Sequence, residues 1–213
     1  MDPEASTDRS ERFLDEAYGL KDLKDVMGFY HDWAEDYDDQ MEQKLGYIAP
    51  RVMAERLAAH LENKAAAILD VGCGTGLTSK YLADSGFAVF DGVDITPRML
   101  ERSRERGIYR ALIEADITLP LEFADASYDA VISSGTFTLG HVGSEPIAEL
   151  VRVLKPGGHL ACSIHKEIWT AKGFEQKFDA LAGEGVLREV ERTPGEFFKG
   201  YGETALYFVF EKI

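Results

Sequence analysis

Hydrophobic and polar residues alternate along this 213-residue chain with two different periods. From residue 66 onward, short apolar runs alternate with stretches in which apolar residues recur every three or four positions. The apolar runs predict strands at 66–70, 88–93, 110–115, 128–133 and 158–164. The helical spacing predicts helices at 76–84, 97–106, 144–154 and 171–183. This order is typical of an α/β fold in which helices cover both faces of a parallel sheet.

The two ends of the chain depart from this alternation. Near the C-terminus, the runs 186–192 and 204–212 are strand-like and separated by a glycine-rich loop, which predicts an antiparallel pair at the sheet edge. Residues 21–61 carry helical spacing, and residues 1–20 are charged and polar, so we expect them to be mobile or loosely docked. We therefore predict a doubly wound, mostly parallel seven-stranded sheet in three α/β/α layers, with an antiparallel C-terminal strand.

This pattern divides the chain into two parts. The sheet and its helices form one domain over 61–213, and residues 1–60 form a helical extension before it. Both parts together suit the length of one α/β domain with an appendage.

The first predicted strand ends in the sequence DVGCGTG at 70–76, directly before a helix. Closely spaced glycines let backbone N–H groups approach a ligand, and the start of a helix offers further unpaired N–H groups. A dinucleotide site requires a third glycine or alanine at the position that Leu77 occupies. An acid such as Asp70 repels a pyrophosphate but suits the ammonium group of an amino acid.

A second acid, Asp94, ends the next apolar run, where this class of fold places an acid that binds ribose hydroxyls. An adenosine ligand that carries an amino acid and no phosphate is S-adenosylmethionine. The sequence therefore predicts S-adenosyl-L-methionine as the cofactor, with S-adenosyl-L-homocysteine as its demethylated product.

Over roughly residues 28–165 the chain resembles class I S-adenosylmethionine-dependent methyltransferases in the order and spacing of five segments. Besides the glycine turn, these segments are GVDITPRML at 92–100, EADI at 114–117, YDAVISS at 128–134 and LVRVLKPGG at 150–158. The sequence YHDWAEDYD at 30–38 resembles the Y-x-x-W-A-x-x-Y-D element of one subgroup of this family.

The residues and the resemblance together imply a cofactor site along the ends of the first four strands. We expect the ammonium group near Asp70, the ribose at Asp94 and the adenine at Asp116. The alternatives are that Asp70 caps the turn, that Asp94 caps the helix at Pro97 and that Asp116 is a polar loop residue. The predicted cofactor-binding positions are Tyr30, Trp33, Tyr37, Asp70, Gly72, Cys73, Gly74, Gly76, Asp94, Ile95, Met99, Asp116, Ile117, Ser133 and Ser134.

Tyr30, Trp33 and Tyr37 share one face of a helix, since they are spaced i, i+3 and i+7. Packing of a helix against the sheet explains this spacing by itself. The resemblance implies more for Tyr37, whose hydroxyl is expected to reach the cofactor carboxylate or to close the pocket. The extension would then act as a lid that excludes water.

Methyl transfer from a sulfonium needs chiefly the correct positioning of the reactants, and a base only where the acceptor must lose a proton. His31, His141 and His165 are candidate bases, although an isolated histidine is more often structural. His141 is the best placed of these, because it follows the fourth strand, and residues 135–141 should line the acceptor pocket. That segment lacks the Asn/Asp-Pro-Pro-aromatic tetrapeptide of methyltransferases that act on bases and glutamine. No spacing indicates a metal site.

The formal charge of −15 opposes binding to nucleic acid or to an anionic membrane. We therefore expect a small-molecule acceptor. Because the sequence shows no N-terminal apolar h-region and no apolar run long enough to span a bilayer, we expect a cytoplasmic protein, and we also expect a monomer or weak homodimer. Two alternatives stay open: a non-catalytic module that binds the cofactor or a partner, and a related enzyme that transfers another group from the cofactor. The two cysteines form no disulfide framework.

Overall fold

The computed structural model of the chain describes residues 16, 17, 19, 20 and 23–213. Its strands are β1 (Ala67–Val71), β2 (Val89–Asp94), β3 (Tyr109–Glu114), β4 (Tyr128–Phe137), β5 (Leu154–His165), β6 (Leu187–Gly195) and β7 (Ala205–Lys212). They form one sheet in the order β3-β2-β1-β4-β5-β7-β6. The first five strands pair in parallel, and β7 runs antiparallel between β5 and β6. The predicted fold class, including the antiparallel C-terminal strand, is confirmed.

Helices cover both faces of this sheet. They are α1 (Leu23–Trp33), α2 (Ala49–Ala59), α3 (Leu77–Asp84), α4 (Pro97–Glu105), α5 (Ile147–Val153), α6 (Lys166–Ala171) and α7 (Phe174–Gly183), with a π-helical segment at Asp39–Lys44. Successive strand residues point to opposite faces, so Ile68 and Leu69 are both fully buried but in different apolar clusters. The cluster with Leu69 includes residues of α5 to α7, and the cluster with Ile68 includes residues of α2 and α3.

The predicted helix at 171–183 is wrong in its extent. Gly173 has φ +74°, a left-handed conformation that interrupts helical geometry, and it separates α6 from α7. The fourth strand is also longer than predicted, because it continues past residue 133 to Phe137 with a shift in its register against β5. This extension carries residues 134–136 to the carboxyl edge of the sheet.

The helical spacing over 21–61 corresponds to two α-helices, and α2 matches the helix that Pro50 predicts by suiting a first turn, with an expected end at about Leu61. A turn at 34–36 follows α1, and the π-helical segment then leads towards α2. Trp33 and Met41 share the apolar cluster of Ile68, so residues of the N-terminal part and of the sheet form one core. The division at residue 60 stays a prediction, and the expectation for residues 1–20 falls mostly outside the described residues.

Within the described part of the chain, no helix has both the length and the apolar character that crossing a membrane requires.

Candidate functional site

A cavity of about 330 Å³ opens at the carboxyl ends of the parallel strands. The strand order reverses between β1 and β4, and open α/β sheets bind their ligands in the crevice at such a point. Ten of the predicted cofactor positions line this cavity: Tyr30, Tyr37, Gly72, Gly74, Asp94, Ile95, Met99, Asp116, Ile117 and Ser134. Most of the cofactor-binding positions that the sequence predicts therefore lie together around one cavity.

The glycines of the turn after β1 serve two purposes. All three have positive φ, at +65° for Gly72, +53° for Gly74 and +86° for Gly76. A Cβ on Gly72 would lie 2.1 Å from Oγ1 of Thr136, so this position leaves no room for a side chain. A Cβ on Gly76 would press against Tyr109 and neighbouring side chains. At Gly74, in contrast, no described atom beyond residues 73–75 lies within 4 Å of the Cβ position, so the space beside it belongs to the cavity.

Asp94 joins two segments at the cavity edge. Its Oδ2 accepts a hydrogen bond from the backbone N–H of Gly74 at 2.8 Å, and its Oδ1 accepts one from the N–H of Thr96, also at 2.8 Å. Burial raises the pKa of Asp94, although these backbone bonds favour the ionised form and lower it. Asp94 thus both lines the cavity and fixes the chain just before α4.

The far end of the cavity combines apolar side chains with one acid. Ile95, Met99 and Ile117 line it, and Ile117 and Met99 are almost fully buried. Asp116 is bonded within its own loop, because its Oδ1 accepts from the backbone N–H of Thr118 at 2.9 Å and from its hydroxyl at 2.7 Å. This end offers apolar side chains beside a carboxylate, which suits an adenine ring.

Asp70 does not line the cavity, so a direct contact with the cofactor is not supported. Its Oδ2 accepts hydrogen bonds from the hydroxyls of Ser79 at 2.6 Å and Tyr109 at 2.8 Å, and the side chain is 1% exposed. Burial raises the pKa of Asp70 to about 6, against the lowering effect of those two bonds. Asp70 therefore stabilises the glycine turn from the protein interior and not from the cavity.

Four other predicted positions also lie outside the cavity wall. Cys73 is buried inside the turn, where burial raises its thiol pKa, and Gly76 packs against neighbouring side chains. The hydroxyl of Ser133 donates to the backbone carbonyl of Val71 at 2.8 Å. Trp33 belongs to the core, and its Nε1 donates to Gln40 at 2.9 Å. These four residues support the structure around the site but do not line the cavity.

Of the three candidate bases, His141 is the one that lines the cavity. His31 is exposed, and buried His165 accepts a hydrogen bond from the backbone N–H of Glu167 at 3.3 Å, at the start of α6. Nδ1 of His141 lies 2.7 Å from the carbonyl oxygen of Leu139, which can only accept, and 2.9 Å from the hydroxyl of Thr138, which can also accept, so a hydrogen on Nδ1 satisfies both contacts. Nε2 then holds the lone pair, 3.1 Å from the hydroxyl of Tyr30.

The environment of this imidazole favours its neutral form. Burial lowers the pKa of His141 below its usual value, and the nearby charge of Lys172 lowers it further, against the opposing effect of the Leu139 bond. Lys172 also donates a hydrogen bond to the backbone carbonyl of His141. Nε2 of His141 is therefore the proton acceptor of this arrangement, and the Tyr30 hydroxyl is its hydrogen-bond partner.

Sequence reasoning missed several residues of the cavity wall. Those outside every predicted set are Val26, Thr96, Thr118 and Val142, whereas Ala115 falls within the EADI segment, whose resemblance implies contact with the adenine. Thr96 and Thr118 each stand two positions after an acid that accepts their N–H, and this spacing in Asp-x-Thr is a readable signal.

The sequence profile of one protein family, described as "Methyltransferase domain", matches residues 69–162. The human Methyltransferase-like protein 27 is 40% identical over 149 residues, which cover 68% of this chain and 60% of that protein. The chain spans less than two thirds of the length of the curated relatives that it matches first.

Solved structures share the fold. A SAM dependent methyltransferase from Aquifex aeolicus matches with a TM-score of 0.62 and 16% identity, over 86% of this chain and 98% of that one. The 1,6-didemethyltoxoflavin-N1-methyltransferase of Burkholderia thailandensis, solved with S-adenosylhomocysteine, matches with a TM-score of 0.62 and 19% identity, over 86% of both chains. At these identities the likeness shows the fold alone.

Proposed function

We propose that this chain, whose residues 69–162 form a methyltransferase domain within a class I methyltransferase fold, transfers a methyl group from S-adenosyl-L-methionine to a small-molecule acceptor. One observation carries the proposal. The backbone beside Gly74 opens into the cavity at the strand ends, and the carboxylate of Asp94 holds it there. That arrangement presents backbone amides and an acid to one ligand.

The residues of the cavity fit this cofactor. A side chain at position 74 would fill the space into which the amino-acid end would pass. The hydroxyl of Ser134, on the cavity wall, is buried with no hydrogen-bond partner among the described residues, so a polar group of a ligand would satisfy it. Asp94 would accept from the ribose hydroxyls, and Ile95 and Ile117 would pack against the adenine.

Bound S-adenosyl-L-methionine supplies an electrophilic methyl group on a sulfonium. The protein then has to hold the acceptor in line and to exclude water. Tyr30, Tyr37 and Val26 line the cavity from the N-terminal segment, and they would cover its opening as a lid. For an acceptor that loses a proton, Nε2 of His141 would take it up through the Tyr30 hydroxyl.

A small molecule is the acceptor that we propose. A formal charge of −15 opposes a polyanionic acceptor, and the acids Asp94 and Asp116 stand on the cavity wall itself. Curated relatives carry names as different as demethylmenaquinone methyltransferase and 18S rRNA (guanine-N(7))-methyltransferase, so relatedness alone does not choose the acceptor.

Calorimetric titration with S-adenosyl-L-methionine and S-adenosyl-L-homocysteine tests the cofactor. Transfer of labelled methyl groups to a panel of small phenols, amines and thiols, with total RNA as the comparison, then tests the acceptor. We expect binding of both nucleosides, and transfer to members of the panel but not to RNA. Transfer to RNA alone would overturn the acceptor class, and failure of both nucleosides to bind would overturn the whole proposal.

A further inference from the structure

The side chain of Asp38 joins the N-terminal segment to the glycine turn. Its Oδ1 accepts a hydrogen bond from the hydroxyl of Thr75 at 2.5 Å, and its Oδ2 accepts one from the guanidinium of Arg106. Arg106 also donates from Nε to the backbone carbonyl of Thr75 at 2.5 Å. The three residues form a closed network around the centre of the turn.

Local structure does not account for this use of Asp38. The residue stands directly before the π-helical segment, where an acid commonly caps the first turn, yet its side chain makes no capping bond there. Its partners Thr75 and Arg106 lie 37 and 68 positions away along the chain. The carboxylate therefore acts between elements, and the residue before it, Tyr37, lines the cavity.

Holding Thr75 has a specific consequence for the turn. Thr75 is buried between Gly74 and Gly76, both of which have positive φ and gain wide conformational freedom from the lack of a Cβ. Gly74 itself is held by Asp94 and by Ser103, whose hydroxyl donates to the Gly74 carbonyl at 2.8 Å. Bonds to Gly74 and Thr75 together fix the backbone that faces the cavity.

We infer that Asp38 is a positioning residue for the amino-acid end of the cofactor, because it keeps Tyr37 and the glycine turn in one fixed arrangement. The inference rests on the proposed function, since it requires S-adenosyl-L-methionine to lie with that end at the turn. Asp38 does not line the cavity, so it acts through Tyr37 and Thr75.

Two ligands separate this role from a general effect on the fold. S-adenosyl-L-homocysteine carries the amino-acid end, and 5′-methylthioadenosine keeps the nucleoside without it. For Asp38→Ala in the full chain, calorimetry should show at least a tenfold weaker affinity for S-adenosyl-L-homocysteine. The affinity for 5′-methylthioadenosine should change by less than twofold, and displacement titration measures it where the heats are small. Asp39→Ala is the matched control, because the adjacent carboxylate is 64% exposed and pairs with Lys44 at 3.1 Å.

Asp38→Asn provides a second variant that keeps an oxygen for Thr75 and removes the charge opposite Arg106. We expect it to lose affinity for S-adenosyl-L-homocysteine by less than Asp38→Ala, again without an effect on 5′-methylthioadenosine. Equal losses for both ligands in Asp38→Ala, or no loss for either, would overturn the inference. Failure of the unmodified protein to bind either ligand would instead overturn the proposed function.

Discussion

The carboxylate of Asp94 accepts a hydrogen bond from the backbone N–H of Gly74 at 2.8 Å and thereby joins the end of β2 to the turn after β1. This bond does two things at once. It gives the backbone N–H of Gly74 a partner within a glycine-rich turn, and it fixes the direction of the carboxylate at the cavity edge. The two strands that carry the predicted cofactor motif are therefore joined directly at the edge of the proposed cofactor site.

Replacing Asp94 by Ala should weaken cofactor binding at least tenfold, or by about 1.4 kcal/mol. The variant loses the acceptor for the ribose hydroxyls and leaves the Gly74 amide without its partner. Glu114→Ala is the matched control, since Glu114 is the register partner of Asp94 on β3 but does not line the cavity. Calorimetry with S-adenosyl-L-homocysteine would contradict the assignment if both variants bound as tightly as the unmodified protein.

Gly74→Ala should preserve the fold and abolish most of the cofactor binding. An alanine in the left-handed region costs about 1 to 2 kcal/mol, and no described atom would clash with its Cβ. The methyl group would occupy the space into which the amino-acid end of the cofactor is proposed to pass. We expect at least a tenfold loss of affinity for S-adenosyl-L-homocysteine and a modest fall in the free energy of unfolding.

Gly107→Ala controls for backbone strain in this experiment. Gly107 has φ +65° and likewise no described atom within 4 Å of its Cβ position, but it lies outside the cavity wall. The Gly107→Ala variant should lose as much stability as Gly74→Ala and keep the affinity of the unmodified protein for S-adenosyl-L-homocysteine. A loss of affinity common to both variants would mean that strain, and not occupation of the cavity, weakens the binding.

The neutral state of His141 can be measured without knowledge of the acceptor. Nitrogen chemical shifts should show the hydrogen on Nδ1, and the ring should titrate below its usual pKa of about 6.5 because it is buried. Lys172→Met should raise this pKa, since it removes a nearby positive charge. Lys166→Met removes an equal charge that pairs with Glu203 and should leave the titration unchanged. Hydrogen on Nε2 would contradict the proposed route for the proton.

Local patterns explain why the cofactor side of the site was readable from the sequence. The turn at 70–76 and Asp94 lie within a few residues of strand ends, and the parallel fold brings strand ends together. Tyr30, Trp33 and Tyr37 were predicted to share a helix face. The turn at 34–36 separates Tyr37 from the helix that carries Tyr30 and Trp33. Trp33 enters the core, and both tyrosines reach the cavity.

Contacts between distant residues account for what the sequence did not predict. Asp70 faces Ser79 and Tyr109, which are 9 and 39 positions away, and no local pattern says which of several polar partners a strand-end acid will meet. The pairing of Tyr30 with His141 spans 111 positions. Each of these pairs forms only when separate elements pack, which hydrophobic period and spacing do not specify.

Asp70 makes the stability of the protein depend on pH in a direction opposite to that of most carboxylates. Its pKa in the folded protein is about 6, compared with 3.8 for a free side chain, because it is buried. The folded state therefore keeps a proton that the unfolded state releases, and the stabilisation present below pH 3.8 is lost as the pH rises through 6. Across this pH range the loss amounts to about 3 kcal/mol.

Asp70→Asn removes this titration and keeps an oxygen that accepts from Ser79 and Tyr109. Urea unfolding should show the variant gaining stability relative to the unmodified protein as the pH rises from 4.5 to 7.5. Asp129→Asn is the control. Burial opposes the ionisation of Asp129, but Lys155 and the N–H of Ala67 hold its pKa below the usual value, so Asp129 does not titrate between pH 4.5 and 7.5. Its difference from the unmodified protein should stay constant. A constant difference for Asp70→Asn as well would show that the buried carboxylate is ionised throughout.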